Sequence, residues 1–464
     1  MSSAAKQLQS LAGIAGEANT STDPQTLGAY AIDGRLPGVL VRPSSAEEIA
    51  EILRCCAADK LAVIPTAGAT KLRIGAPPAR YDVALVTTRL DKIPAYDPGD
   101  LTVSAEAGAR LSDLLALLTE KRQMLPLAPP FLNQASVGGT VASGVDSALR
   151  HRYGTVRDFL LGIEFVTGDA IRAKSGGRVV KNVAGYDLHK LFIGSLGTLG
   201  VITRVNFKTF PVPEASGGFL ASFANESGAL ELLRRIRHSP LRVTTLDVLN
   251  PALAALFASR TPSTAPDAPL PGSWLCGSSW AVAASFDGSD AALRRTTSEL
   301  EGMAGEAGAN ATTLLAEDAR PSLWVRIREW IPLLLDASPA ATIVRVSALP
   351  TQLGEILGAA QLSGDRNELP VAILLRAVGV AYVAFLPGQS DEQTVGRLAR
   401  AAGEVAEAAA AAKGFSFIAW CPPELKGQVS LWGKERADIS LMRKVKQVFD
   451  PENVLSPGRY IGGL

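Results

Sequence analysis

Ile49, Ile52, Leu53 and Cys56 fall at helical spacing behind Ser45-Ala-Glu-Glu48, a serine with a glutamate three positions on. That pairing predicts an amphipathic helix, because the serine oxygen accepts an otherwise orphaned amide of the first turn. Leu111, Leu114, Leu115 and Leu118 predict a second. Elsewhere the apolar positions run together: Leu61–Ile64, Val83–Thr87 and Leu101–Ala105 read as buried strands. Strand and helix in alternation predict an α/β or α+β layer. Phe159–Thr167, a Gly168-Asp169 turn and Ile171–Ala173 read as a hairpin. Residues 1–34 are polar and irregular, with room for one short helix.

After Phe210-Pro-Val-Pro213 and Ser216-Gly-Gly the rhythm changes, which predicts a domain boundary. Strand-like runs at Phe219–Phe223, Thr244–Val248, Trp280–Phe286, Thr342–Val346, Val371–Leu375 and Tyr382–Leu386 alternate with helices near 227–238, 289–306, 351–361 and 391–412. This is the pattern of a ferredoxin-like sheet covered by helices, in two related halves. Arg260–Gly272, rich in Pro, Ser and Thr, reads as a loop. Ser440–Asp450 reads as a helix ended by Pro451, with an extended tail after it.

A chain of 464 residues, 47% hydrophobic and 20% charged, has room for two or three domains. Its 46 basic and 45 acidic residues leave a net charge of +1, which gives no footprint for nucleic acid. The most apolar runs, Ile331–Leu335 and Val371–Leu375, are too short to span a bilayer, and the N-terminus lacks the pattern of a signal peptide. Cys55, Cys56, Cys276 and Cys421 show no CxxC spacing, so an iron–sulfur cluster in this chain is not expected. Cys56 lies on an apolar helix face and reads as core. The cysteine usage fits a reducing, cytoplasmic setting, with any membrane association through partners. His151, His189 and His238 do not pair at metal-ligand spacing, and no metal site is expected. His151, beside Arg152, reads as exposed. His189, beside Lys190, reads as structural or solvent-facing.

Three glycine-rich or small-residue elements carry the candidate chemistry. Pro65-Thr66-Ala67-Gly68-Ala69-Thr70-Lys71 follows a strand, and small side chains let successive amides converge on an anion. An ordinary surface turn reads the same way. Val137, Gly138, Gly139, Ser143 and Gly144, preceded by Pro129-Pro130, allow either the approach of a planar or phosphate group or a tight helix crossing at small residues. Lys181–Thr203 places Gly185, Gly194, Gly197 and Gly200 around a short apolar helix that runs into a strand. The order helix, glycines, strand is the reverse of a nicotinamide-binding GxGxxG. Between these elements lies Tyr153-Gly154-Thr155-Val156-Arg157-Asp158. Arg152 and Arg157 there are either surface charges or partners of a phosphate or of Asp158.

In that order and spacing these elements resemble the FAD-binding domain of the vanillyl-alcohol oxidase / p-cresol methylhydroxylase superfamily. The tail Phe449-Asp-Pro-Glu-Asn-Val-Leu-Ser-Pro-Gly-Arg459 resembles the terminal FDPxxxxNPG signature of its glycolate/D-lactate dehydrogenase branch. Within that branch Met124-Leu-Pro126, Gly177–Asp187 and Trp432-Gly433 resemble the smaller FAD-binding subunit of bacterial glycolate oxidases. The resemblance implies an α+β chain: a PCMH-type FAD-binding domain of two α/β subdomains over 35–213, a ferredoxin-like α+β cap over 214–420, and a segment 421–464 returning to the FAD domain. Amides of Thr66–Lys71 and of Gly138-Gly139 would hold the pyrophosphate. Gly194, Gly197, Thr198, Gly200, Val201 and Ile202 would line the adenine and ribose end.

Two departures bear on mechanism. Family members that bind FAD covalently place a histidine where Thr70 stands, so non-covalent FAD is implied. Hydroxy-acid dehydrogenases of the branch carry a histidine-rich metal motif in the cap, where this chain has only His238. Arg345, in the strand Thr342–Val346 with Trp324 and Arg328 nearby in sequence, is the candidate for binding a substrate carboxylate; a structural ion pair is the plainer reading. The expectation is an FAD-dependent subunit of a glycolate-oxidase-type complex, acting on a small 2-hydroxy acid and passing electrons to a larger flavoprotein and an iron–sulfur subunit. The alternatives are a non-catalytic FAD-binding scaffold beside a larger flavoprotein, and a self-sufficient oxidase using oxygen.

Overall fold

The computed structural model describes residues 3–179, 185–261, 279–315, 319–434 and 436–464. Most of the loop expected at Arg260–Gly272, together with Cys276 and Lys181–Ala184, lies outside those residues. The chain forms two compact units. The first holds Met1–Asp146, Thr155–Val212 and Lys434–Leu464; the second holds Ser147–Gly154 and Pro213–Gly433.

The first unit has two main sheets. In one, Val39–Val41, Val83–Val86 and Val63–Thr66 lie side by side in parallel, with Thr20–Ser21 antiparallel at the edge. Val39–Val41 and Val83–Val86 are buried throughout, as strands covered on both faces must be. The helix Ala46–Ala58 buries Ile49, Ile52, Leu53 and Cys56 against this sheet's core. The Ser45 hydroxyl accepts the Glu48 amide at 3.1 Å, and the Glu48 carboxylate accepts the Ser44 amide at 2.7 Å, so the cap is reciprocal across one extra residue. The start allowed one short helix; the structure gives it 13 residues, Ser3–Ala15, packed on Ala46–Ala58 with Leu11 fully buried.

The other sheet is antiparallel, in the order Ala95–Asp97, Thr102–Glu106, Val201–Lys208, Leu160–Val166, Arg172–Gly176. The last two strands form the expected hairpin. Phe159, Phe165, Phe192 and Phe207 fill the core between this sheet and the helices Leu111–Glu120 and Val137–Ser143. The C-terminal tail adds to the parallel sheet. The Val63 amide donates to Val454 at 2.8 Å and the Ser456 amide to Val63 at 2.9 Å, placing the tail beside the strand that leads into Pro65.

The second unit is built on one eight-stranded antiparallel sheet. Its first four strands are Phe-rich Ala215–Phe223, then Val243–Leu249, Trp280–Gly288 and Ala311–Leu314, in the spatial order fourth, first, third, second. Thr342–Ser347, Val371–Arg376, Val380–Phe385 and Phe415–Trp420 repeat that order, counted from the opposite edge. Each half is therefore a ferredoxin-like unit, with helices Glu226–His238 and Asp290–Glu306 in one and Leu353–Asn367 and Glu392–Ala411 in the other. The halves join through their second strands, where Asp247 faces Arg376. The Arg376 guanidinium donates to both Asp247 oxygens at 3.1 and 3.2 Å, and both side chains are buried.

Candidate functional site

The strand Val63–Thr66 delivers the first loop. The amides of Ala67, Gly68, Ala69 and Thr70 donate to no protein acceptor among the described residues. The loop reaches this shape because Ala69 takes a φ of 53° and because Gly68 has no side chain. A Cβ on Gly68 would lie 1.9 Å from the Gln134 carbonyl oxygen. The Lys71 ammonium donates to the Thr70 hydroxyl at 3.0 Å and to the Pro130 carbonyl at 3.3 Å. Thr87 steadies the loop's base through a 3.2 Å bond to the Thr66 carbonyl.

The second element is the helix Val137–Ser143, capped by Ser136. Here the amides are already engaged. Gly138 donates to the Ala107 carbonyl at 2.8 Å and Gly139 to the Ser136 hydroxyl at 3.1 Å. A Cβ on Gly138 would meet the Ala107 Cβ at 2.5 Å, so this glycine serves the close approach of its helix to the turn that follows Thr102–Glu106. The third element departs from the expected apolar helix: only the single 3-10 turn Leu188–Leu191 forms before the chain reverses. Gly194, Leu196 and Gly197 all take positive φ, which breaks any helix. Gly194 and Leu196 donate to the Val141 and Ala142 carbonyls at 3.1 and 2.8 Å, hanging the turn on the second element. The amides of Gly197 and Gly200 donate to no protein acceptor among the described residues.

These three elements converge on one cleft. Pro65 through Lys71, Gly138, Gly139, Ser143, Gly197, Gly200, Val201 and Ile202 line it. Seven others, Gly194 among them, sit elsewhere. Val137 is fully buried in the core, and Thr198 is buried with its hydroxyl on the Ser195 carbonyl. Gly144 packs against Gly194 behind the wall, and Pro129 precedes the carbonyl that Lys71 meets. Tyr153 and Gly154 belong to the second unit. Thr87, Ala107, Ser136 and Arg459 also line the cleft, though the sequence reading placed none of them in the site.

Arg459 is 3% exposed and donates to the carbonyls of Leu72, Ile74 and Ala76 at 2.6 to 2.8 Å. Burial pulls its guanidinium down to about 10, although the charge of Asp33 acts against that fall. Its position in a terminal signature marked it, but nothing in the spacing joined it to a loop nearly four hundred residues earlier. Lys446 supports the third element from behind, donating to the carbonyls of Thr198 at 2.9 Å and Leu455 at 2.7 Å and pairing with Asp450. Asp450 in turn accepts the amides of Val454 and Leu455 at 2.9 and 2.8 Å. His189 is buried, with its amide donating to Ser175 Oγ at 3.0 Å and its Nδ1 3.1 Å from the same atom; burial lowers its pKa.

Among the described residues no carboxylate lines the cleft, two cations do, and six amides on its walls lack protein acceptors. That set fits the phosphates of a dinucleotide: anions held by backbone donors and offset by nearby charge. The remaining walls, Ile64, Leu72, Ala142 and Leu196 among them, are apolar and suit planar rings.

In the second unit Arg345 lies between Tyr382 and Phe417, its cross-strand neighbours. Its guanidinium carbon is 5.8 and 5.6 Å from the two ring centroids, and Nη1 donates to Ser347 Oγ at 2.7 Å. Trp330 packs on Tyr382 at 5.1 Å and Trp432 stacks on Phe417 at 5.7 Å. Arg152 and Arg157 are exposed, while His151 is half-buried rather than exposed, because its short helix Arg150–Tyr153 packs on the strand Val243–Leu249. Asp158 closes a capping box with Thr155. Among the described residues no group of three His, Cys, Asp or Glu side chains converges as a metal site would need, and no helix is long and apolar enough to cross a membrane.

Comparison with known proteins gives two family matches. The family described as "FAD binding domain" matches residues 37–173, and that described as "FAD linked oxidases, C-terminal domain" matches residues 212–416 and 426–460. Glycolate oxidase subunit GlcD of Bacillus subtilis (strain 168) is 23% identical over 429 residues, 91% of this chain and 89% of that protein. Likeness to glycolate oxidase subunit GlcE of Escherichia coli (strain K12) is sharper but local: 45% over 122 residues, 26% of this chain and 35% of that protein. The expected likeness to the smaller glycolate oxidase subunit therefore holds over a part of the chain, while likeness to GlcD runs nearly end to end. The crystal structure of p-cresol methylhydroxylase with substrate bound superposes with a TM-score of 0.79 at 18% identity, over 98% of this chain and 96% of that one, and so shares the fold.

Proposed function

The chain belongs to the FAD-linked oxidases, and from that premise we propose that it oxidises a small 2-hydroxy acid as one component of a glycolate-oxidase-type complex. It is an FAD-dependent oxidoreductase. The observation that carries the finer reading is the near full-length relation to a glycolate oxidase subunit together with a cleft whose free amides suit a diphosphate.

When bound, FAD supplies the two-electron acceptor for the oxidation. This chain's residues do the holding. The amides of Ala67–Thr70, with Lys71 and Arg459 beside them, receive the pyrophosphate, and Gly197 and Gly200 present amides from the opposite wall. Thr70 offers no imidazole for covalent attachment, which supports non-covalent binding. In the cap, Arg345 is fixed between two rings and by Ser347, which pre-orients its fork for a substrate carboxylate. The larger flavoprotein and iron–sulfur subunit are proposed partners, and 35–213, 214–420 and 421–464 are the proposed functional segments.

A second reading is supported by the local 45% identity to GlcE: an FAD-binding subunit that serves a catalytic flavoprotein without oxidising substrate itself. One experiment separates the two. The purified chain is loaded with FAD, and its visible band is followed as glycolate or D-lactate is added without oxygen. Bleaching supports oxidation by this chain. A band that persists removes the stand-alone reaction and leaves the scaffold reading. A chain that takes up no FAD removes both.

A further inference from the structure

We propose that Arg459 sets the pyrophosphate subsite, both by fixing the loop that follows Lys71 and by lending it a buried positive charge; this rests on the FAD reading of the cleft. Arg459 lines the same cleft as the free amides of Ala67–Thr70. All three of its hydrogen bonds go to neutral carbonyls: Leu72 and Ile74 from Nη2 and Ala76 from Nη1. The Ala76 amide returns a bond to the Arg459 carbonyl at 3.0 Å, and the Ala79 amide bonds Pro457 at 2.8 Å, so tail and loop are zipped together. Arg459 is 3% exposed, and the charge of Asp33 acts on it without an ion pair between them among the described residues.

Carbonyl oxygens satisfy the guanidinium's donors but do not cancel its charge. A buried cation without a carboxylate at contact distance is costly unless an anion approaches. The anion that the cleft is built to admit is a diphosphate. Arg459 thus does two separable things: its fork orders the loop, and its net charge raises the cleft's affinity for phosphate. It acts through the loop and its field and is a positioning residue.

The two contributions separate in two variants. Arg459→Lys keeps the charge and loses the planar fork; Arg459→Gln loses the charge and keeps an amide donor. The full chain without flavin is titrated with ADP and with adenosine, probes that differ only in the diphosphate, and thermal unfolding is recorded alongside. Wild type should prefer ADP. The preference should be retained in Arg459→Lys and fall by about 10-fold or more in Arg459→Gln, the scale of one charged interaction. Hydrogen exchange at the Ala76 amide should quicken in both. An unchanged ADP preference in a folded Arg459→Gln protein overturns the proposal, as does its loss in Arg459→Lys to the same degree as in Arg459→Gln. If Arg459→Gln fails to fold, the wild type decides: ADP, but not adenosine, must slow exchange at Ala76, and equal protection by the two overturns the proposal. Wild type that binds neither ADP nor FAD is the distinct failure of the cofactor reading itself.

Discussion

Lys446 reaches across 248 positions of sequence to donate its ammonium to the Thr198 carbonyl at 2.9 Å. Thr198 lies between Gly197 and Gly200, whose amides are free, so the C-terminal helix Ile439–Phe449 holds one wall of the cleft from behind. Asp450 balances the charge and also caps the turn at Val454 and Leu455. Burial lowers the Lys446 pKa, and Asp450 acts against that fall.

Asp450→Ala removes that balance and leaves a buried ammonium against two carbonyls. The loss expected is about 3–5 kcal/mol in the first unit. Urea unfolding followed by fluorescence measures it, and a change below about 1 kcal/mol would show that Lys446 finds compensation elsewhere. Flavin retention should fall in step, since the same turn shapes the cleft.

Gly68→Ala should reduce FAD affinity about 10-fold or more, because the new methyl has to displace the Gln134 carbonyl or move the loop. Gly13→Ala is the matched control: a Cβ there meets nothing within 4 Å on the helix Ser3–Ala15. It should leave flavin content unchanged and add about 0.5–1 kcal/mol of stability. Equal flavin content in both variants would argue against the first loop as part of the site.

Stability should fall as the pH drops below about 6.5. The His189 pKa is lowered by burial, so in that range the unfolded chain takes up a proton that the folded chain resists, and unfolding is favoured. The loss grows as pH falls toward the folded-state value and then levels. His151, lowered by burial and by Arg237, adds a dependence of the same sign in the second unit. Comparing urea midpoints at pH 7.5 and 5.5, His189→Asn should flatten the dependence in part; an identical slope would remove His189 from the account.

Arg345→Met should leave flavin content intact while kcat/KM for the 2-hydroxy acid falls about 10–100-fold, the worth of a charged hydrogen bond to a carboxylate. Were Arg345 only a packing element between Tyr382 and Phe417, the variant would melt earlier with its kinetics unmoved. Differential scanning calorimetry beside steady-state kinetics distinguishes these outcomes.

Much of this was legible locally. Ser45 and Glu48 announce a helix start because capping is a short-range interaction, and Val83–Val86 reads as a strand because burial on both faces needs an unbroken apolar run. The ferredoxin-like halves are visible for the same reason, since each alternates short strands with amphipathic helices. Convergence was less legible. Gly138 looked like an amide for a ligand, and only the position of Ala107, in the turn after Thr102–Glu106, shows that this amide is already taken. Leu188–Leu191 carries helix-like apolar residues, but positive φ at Gly194, Leu196 and Gly197 halts it after one turn. Ser3–Ala15 showed only as room for one short helix, because small residues give a weak contrast between its faces. The part played by Arg459 rests on a contact no local pattern encodes.

The seam between the tail and the first loop also orders events in time. Leu72 leaves the ribosome 387 residues ahead of Arg459. At roughly 5–20 residues per second that is a delay of about 20–80 s. For that interval the loop after Lys71 lacks its three-carbonyl clasp, and the strand Val63–Thr66 has Val83–Val86 on one side but not the tail on the other. The nascent chain therefore carries an unfinished cleft through almost all of its synthesis, and a product stalled shortly before Arg459 would contain every glycine of the site yet leave the loop after Lys71 unclasped.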